Sequence, residues 1–405
     1  MKSTTEAKDP KVQSRAIVIL ILSTLLMIAS SFSLFKFMPI MTFFLEFYNI
    51  EMAAMSSVMS VFTWMLIITA IPVGLFLSRF PAKYTGAIAA GCIIVGNIIS
   101  LIAGSLVALI IGRMVEAIGY AMLQVLTNCL VTSTFKDSKL RGTMVGIVGV
   151  GLMAGQAIYL NVAPRIATQS GLAGVYWMII ITVTVLALLW LIFIKKDSTV
   201  EAISAVQKME KSERRRLRLS AFKSRDLWLI AVAYAVLRMG IATAGQYVPA
   251  YLTTVRGIDT IAASGMTSIA TTLGIIMMVL TGVICDALKT RRKVQIISSF
   301  TIIIAWFLLM KLPLDSLIIF FIVYGTLPRT YTTTTYSSYP DIFDDPTVIP
   351  VAHSTVQFVG NVIGAIATIV FGFIIQYAGY DMLWYTCMAL GAIGGICWIF
   401  AKKIH

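Results

Sequence analysis

Charge is scarce in this sequence, and acid is scarcer than base. Only 12% of the 405 residues are charged, and 32 Lys and Arg stand against 18 Asp and Glu. Histidine is nearly absent, at two residues, one of them the terminal His405. The five cysteines, Cys92, Cys129, Cys285, Cys387 and Cys397, are scattered in or beside apolar stretches. They lack metal-ligand spacing, so neither a metal site nor a disulfide framework is expected. No nucleophile–base constellation and no glycine-rich nucleotide loop occurs, so no enzyme, no cofactor and no ATP-driven pump is implied.

What is abundant is apolar. Hydrophobic residues make up 59% of the chain, and the mean hydropathy is +0.90. Roughly half apolar already suffices for a soluble domain. Here the apolar residues run in long blocks, and about 20 of them cross a hydrocarbon core of about 30 Å. The chain reads as an all-α membrane protein with the lipid bilayer as its solvent. Met1 to Arg15 is polar and charged and the first block is long enough to span, so a cleaved leader is not expected.

Twelve transmembrane helices can be drawn. They fall near 16–45, 52–77, 84–104, 106–134, 142–163, 172–194, 226–252, 261–285, 294–310, 315–338, 347–376 and 382–401. One connection is long: Lys195 to Arg225 is polar and contains the run Arg214-Arg215-Arg216-Leu217-Arg218. It divides the chain into a six-helix bundle over 1–194, a basic linker over 195–225 and a second six-helix bundle over 226–405.

The formal charge of +14 is explained by topology and not by nucleic acid, because the bases collect on one side of the spans. That side holds Lys2, Lys8, Lys11, Arg15, Arg79, Lys83, Lys136, Lys139, Arg141, the linker, Lys289 to Lys293 and Lys402-Lys403. The other side holds Arg165, Arg256 and Lys311. The bias predicts a multi-pass protein of the cell (inner or plasma) membrane with both termini cytoplasmic.

The two parts echo each other at an offset of roughly 210 residues, a spacing read from matching features in a parallel-repeat plan. Pro39 late in the first span answers Pro249 late in the seventh. Gly74 to Ser78-Arg79, with Lys83, answers Gly282 to Asp286 and its basic tail. Glycines recur in the fifth span (Gly146, Gly149, Gly151, Gly155) and the eleventh (Gly360, Gly364, Gly372). With Gly112-Arg113, Gly119 and Arg141-Gly142, this ordered set resembles the major facilitator superfamily across nearly the whole chain. The first loop copy departs from the family pattern at Ser78 and Pro81, the second at Ala287. The resemblance implies two pseudo-symmetric bundles and a gating latch in which Asp286 pairs near Arg141. Arg79 and Lys83 would belong to a weaker copy, since Ser78 replaces the acid. These loops otherwise serve only as tight turns.

Four cations lie inside spans, Lys36, Arg113, Arg238 and Arg329, against one clear anion, Glu116. A charge at membrane depth is costly and is normally kept for handling ions or substrates. The simplest neutraliser of the surplus is an anionic substrate. The four cations fall on spans 1, 4, 7 and 10, which the resemblance implies line the central cavity. Lys36 has two readings: substrate contact, or snorkelling to the outer interface. Arg113 and Glu116, three residues apart, either neutralise each other or couple protons. Arg238 follows an apolar run with Tyr234 one turn before it. That stretch, continuing through Gln246 and Tyr247-Val-Pro-Ala-Tyr-Leu, resembles the seventh span of organophosphate:phosphate antiporters.

Pro328 precedes Arg329 and should break the tenth helix. Either the span continues through the hydroxyl-rich stretch Thr330 to Ser338, with Tyr331 facing the substrate, or Arg329 belongs to a cytoplasmic loop. His353 titrates in a useful range and joins Glu116 as a candidate for proton coupling, or is structural. The expectation is a secondary transporter of a small anion, a carboxylate first, by exchange or with protons, in a monomer. The competing expectation is a proton-coupled exporter of cationic compounds.

Overall fold

The structure, a computed structural model, describes residues 10–77, 80–134, 141–194, 224–288, 290–343 and 349–401. The linker over 195–223, Arg79 and Lys402-Lys403 lie outside the described residues. Among those described, all regular secondary structure is helical and there is no strand. Nine helical stretches among the described residues are long and apolar enough to cross a membrane. Large apolar side chains also cover the outside: Ile102 is 78% exposed, Ile192 69%, Val107 66% and Ile68 63%. A soluble protein would bury such a girdle. This is a multi-pass membrane protein.

The first part of the chain forms α1 (Pro10–Leu34), α2 (Met41–Tyr48), α3 (Met52–Leu77), α4 (Ala82–Ala103), α5 (Leu106–Thr134) and α6 (Arg141–Phe193). The second forms α7 (Arg225–Arg238), α8 (Val248–Thr254), α9 (Thr260–Leu288), α10 (Arg291–Lys311), α11 (Leu317–Gly325), α12 (Tyr331–Ser337), α13 (Tyr339–Ile342) and α14 (Ile349–Phe400). No loop separates the fifth and sixth predicted spans, nor the eleventh and twelfth. Each pair is one helical run, of 53 and 52 residues. A straight helix of that length would reach about 80 Å, far beyond a bilayer.

Both runs therefore turn, and glycine is the residue at each turn. Gly171 has φ 63° and Gly379 has φ 79°, a region that a Cβ disfavours. The contacts confirm the reversal in α6: the Tyr159 hydroxyl donates to the Lys36 carbonyl at 3.0 Å, and the Tyr176 ring lies 4.8 Å from Lys36 Nζ. Residues on either side of Gly171 thus reach the same lysine. In α14, Gly364 packs on Arg238 while Gly394, thirty positions on, packs on Leu237.

Three other spans are interrupted: the first and seventh, where continuous helices were expected, and the tenth, where Pro328 was expected to break the helix. The first span stops at Leu34, and Phe35 to Ile40 form turns before α2. The seventh passes through a π-helical turn at Met239–Thr243 and a 3-10 turn at Ala244–Tyr247. The tenth breaks after Gly325 into a 3-10 turn at Leu327–Thr330, then resumes as α12. Pro328, without an amide proton, accounts for that break. The helical course continues to Ile342, so Arg329 stands mid-way along it and not in a terminal loop.

The two parts of the chain pack through α14 on α3 and α9 on α6. Hydrogen bonds join them near residues 39–56. The Tyr247 hydroxyl donates to Ser56 Oγ at 2.9 Å, Ser264 Oγ donates to the Pro39 carbonyl at 3.2 Å, and the Ala53 amide donates to Gln376 Oε1 at 3.1 Å. Gln376 Nε2 donates to Glu51 as well.

A β-branched residue at either turn should be poorly tolerated. Gly171→Val and Gly379→Val are each expected to cost about 1–3 kcal/mol, read as a lower Tm of the purified protein. Gly149→Ala, where an added Cβ meets open space, should melt with the wild type. Equal melting of all three variants would show that the turns carry no such constraint.

Candidate substrate-binding site

Lys36, Arg113 and Glu116 form one buried cluster. Lys36 and Glu116 are 0% exposed and Arg113 is 1% exposed. Lys36 Nζ donates to Glu116 Oε1, and Arg113 donates to Glu116 Oε2 at 2.9 Å. Arg113 also donates to the Ser33 carbonyl at 2.5 Å. The carboxylate is shared, so the triad keeps one net positive charge. A buried charge left unpaired is costly, and here the geometry pairs each of the three.

The interruption of the first span supplies this arrangement. The last turn of α1 and the turns after it leave the carbonyls of Ser33 and Lys36 to Arg113 of α5 and Tyr159 of α6, which satisfy them. Snorkelling is thereby corrected for Lys36: its head points inward, because a carboxylate waits there. Aromatic faces complete the wrapping. The Arg113 guanidinium lies 4.3 Å from the Phe62 ring centroid and 4.7 Å from that of Phe37, contacts worth about 0.5–2 kcal/mol each.

Arg113 is also the wall of a cavity. Phe37, Phe62, Thr63, Arg113, Gln246 and Thr368 line it, so both parts of the chain contribute. Beyond Phe62 stands Tyr120, with ring centroids 5.4 Å apart.

Arg238 ends α7, at the edge of the π-helical turn. Its guanidinium donates to Asn361 Oδ1 on α14, its one side-chain hydrogen bond among the described residues. Gly360 and Gly364 make the room. A Cβ at Gly360 would come 2.5 Å from the Tyr234 ring and 3.6 Å from Arg238 Nη1, and one at Gly364 would come 3.8 Å from Nε. Next to it lies a hydroxyl and amide network. Tyr234 and Tyr336 share a hydrogen bond of 3.0 Å, and Gln357 bonds both hydroxyls. Tyr331 packs on Tyr234 at 5.6 Å.

Arg329 sits in the 3-10 turn after Gly325. Its guanidinium lies 4.7 Å from the Tyr324 ring centroid, and its stem packs against Gly274 of α9. Its Nε is buried without a hydrogen-bond partner among the described residues. Among those residues neither Arg238 nor Arg329 forms an ion pair. Hydroxyls of the following turn are largely spoken for: Thr330 donates to the Leu327 carbonyl and shares a hydrogen bond with the Ser298 hydroxyl, and Thr334 bonds Gln295.

The His353 ring is edge-on to Tyr336 at 4.5 Å and to Tyr339 at 6.0 Å. Lys83 offers its carbonyl to Trp190 Nε1 at 3.2 Å. The side chains of Arg141 and Asp286, with Arg79, lie outside the described residues. Asn361 and Gln357 escaped the sequence analysis. Their signal was present as two polar residues four apart in an apolar span, which places them on one helical face.

Residues 20–342 match the profile of the Major Facilitator Superfamily. The chain belongs to that superfamily. No curated protein sequence matches it. Solved structures with the same fold include the nucleoside transporter NupG, at 13% identity over 96% of this chain and 100% of that one, with a TM-score of 0.75. A bacterial homolog of the human lysosomal transporter Spinster, inward-facing and occupied, has 12% identity over 98% of each chain and a TM-score of 0.75. A D-xylose-proton symporter has 17% identity over 96% and 97%, with a TM-score of 0.72. At these identities the likeness is one of fold, and this superfamily member's substrate must be argued from its own residues.

Removing the shared carboxylate should expose the cost of the triad. Glu116→Gln leaves Lys36 and Arg113 facing each other and is expected to destabilise by about 3–5 kcal/mol. The double change Lys36→Met with Glu116→Gln should recover much of that loss, because one cation then remains. Thermal unfolding of the two variants measures it. Equal stability of Glu116→Gln and wild type would mean that the three groups are not mutually dependent.

Proposed function

We propose that this protein is a secondary active transporter of a small anion, with a carboxylate as the first class to test, working by alternating access. The observation that supports this reading is the state of Arg238 and Arg329. Both guanidiniums stand between membrane helices with neutral neighbours, an amide and an aromatic ring. Arg113 adds the net positive charge of the triad to the cavity wall. An anion entering this space gains charge-assisted, bidentate hydrogen bonds from a planar fork.

The architecture that goes with this reading has twelve passes in two six-helix bundles. Nine apolar helices are long enough to span. Two of them turn at Gly171 and Gly379 and count twice, and Leu317 to Ile342 makes the twelfth despite its break. The bundles cover 1–194 and 226–405, joined by the basic linker. The Lys and Arg bias puts both termini in the cytoplasm of a cell-membrane monomer. In that orientation the hydrogen bonds at residues 39–56 close the outer end, so the anion would exchange with the cytoplasm. Asp286 with Arg141 would latch the inner end in the opposite state, and Arg79 and Lys83 would belong to the weaker copy that lacks the acid.

Two coupling modes fit. In anion exchange, the uncompensated guanidiniums resist reorientation of an empty carrier. In proton symport, Glu116 takes up a proton, with His353 as the second candidate. Glu116 is bound by both Lys36 and Arg113, an arrangement that supports exchange. Export of cationic compounds is the weaker reading. It calls for a free acid, and Glu116 is committed to Lys36 and Arg113. Enzymatic activity is not part of the proposal, and the superfamily is one of transporters.

Proteoliposomes loaded with succinate, phosphate or buffer test transport and coupling together. Uptake of the labelled anion should require internal anion and ignore an imposed pH gradient. Arg238→Ala and Arg329→Ala should each lower uptake about 100-fold or more while leaving membrane insertion intact. Arg238→Lys should fail too, because lysine lacks the fork. Normal uptake by Arg238→Ala would remove that residue from the site.

A further inference from the structure

We infer that Asn361 is a positioning residue that keeps the site selective for anions: it holds the Arg238 guanidinium by a neutral acceptor, so orientation is gained without cancelling the charge. This rests on the function proposed above and adds to it the residue that sets charge selectivity. The molecule contains its own contrast. Arg113 in the first part is oriented by a carboxylate, Glu116, at 2.9 Å, and half of the local charge is neutralised with it. Arg238 in the second part is oriented by an amide oxygen. Both acceptors do the same geometric work, but only the amide leaves a full positive charge for a ligand.

The face of α14 that carries Asn361 is shaped for this task. Gln357, Gly360, Asn361 and Gly364 recur at helical spacing and lie on one stripe. Gln357 fixes Tyr234 and Tyr336, and the two glycines let the Tyr234 ring and the Arg238 fork lie against the helix backbone. Arg238 is thus held from one side by a single hydrogen bond. The rest of its donors are left without a side-chain partner among the described residues, in a half-buried setting. An aspartate here would fit the same space and accept the same bond, yet it would turn the site neutral.

That substitution separates a charge role from a structural one. Asn361→Asp offers a better acceptor to Arg238, so a merely structural role predicts a sound protein that still binds its anion. The proposal predicts an unliganded Tm equal to or above wild type together with loss of anion binding. The probes are the sodium salts of acetate, succinate, benzoate and citrate, with tetraphenylphosphonium chloride as the cationic control, read as shifts in Tm. The concentration giving half of the anion-induced shift should rise about 100-fold or more in Asn361→Asp. An unchanged anion response would overturn the proposal.

Two further arms keep it decidable. Should Asn361→Asp not reach the membrane, Asn361→Ala takes its place. It loses orientation but keeps the charge, and its half-maximal concentration should rise about tenfold; an unchanged value counts against the role. Should no anion stabilise the wild type, the anion reading itself falls. The pairing is then read without ligand. The stability gained in Asn361→Asp should vanish in the double variant with Arg238→Gln, and additive effects of the two changes would overturn the positioning role.

Discussion

A guanidinium between membrane helices has little water to fall back on, so the protein must provide its partners or leave it for a ligand. This chain does both. Arg113 is given a carboxylate, a backbone carbonyl and two aromatic faces. Arg238 is given one amide oxygen, and Arg329 one aromatic face. Arg113 is thus paired with an anion, whereas Arg238 and Arg329 have none among the described residues. In the function proposed above this contrast sets the substrate's sign, because a negative group pairs with what the helices leave open.

The backbone is arranged around that contrast. Lys36 lies in the turns after α1, Arg238 at the start of a π-helical turn, and Arg329 within a 3-10 turn. Irregular backbone at membrane depth is tolerated where it is buried in protein or lines a cavity. The interruptions free carbonyls and redirect side chains, and the regular helices around them absorb the disturbance. Trp306 and Tyr324 illustrate the repair, donating to the carbonyls of Gly240 and Ile241 in the π-helical turn at 2.9 and 2.6 Å. The glycine turns at 171 and 379 bring back the second limbs of α6 and α14. The first limbs carry Tyr159, which supports the triad, and Asn361, which supports Arg238.

Much of this was legible in the amino-acid order. Apolar blocks identified a membrane protein, and the paired loop glycines with Gly112-Arg113 pointed to the superfamily that residues 20–342 match. The same counting of intramembrane charge singled out Arg113 and Glu116 as neighbours, since three residues on a helix share a face. What stayed hidden was long-range. Nothing local to Lys36 tells that Glu116, eighty positions away, receives it, so an interfacial position looked equally good. The π-helical turn after Arg238 has no proline to announce it, unlike the break at Pro328. Asn361 was overlooked because an amide in a glycine-rich span reads as a packing residue until its acceptor oxygen is seen to meet Arg238.

The most direct test is a thermal-shift screen of the purified protein against carboxylates, phosphate, nitrate, neutral sugars and nucleosides, and cationic dyes, run on the wild type and on the Arg238→Ala, Arg329→Ala double variant. A ligand stabilises the form it binds. Open guanidinium charge predicts that anions alone raise the wild-type Tm and that the rise disappears in the double variant. Stabilisation confined to cations or neutral compounds, or an equal response to anions in both proteins, would contradict it.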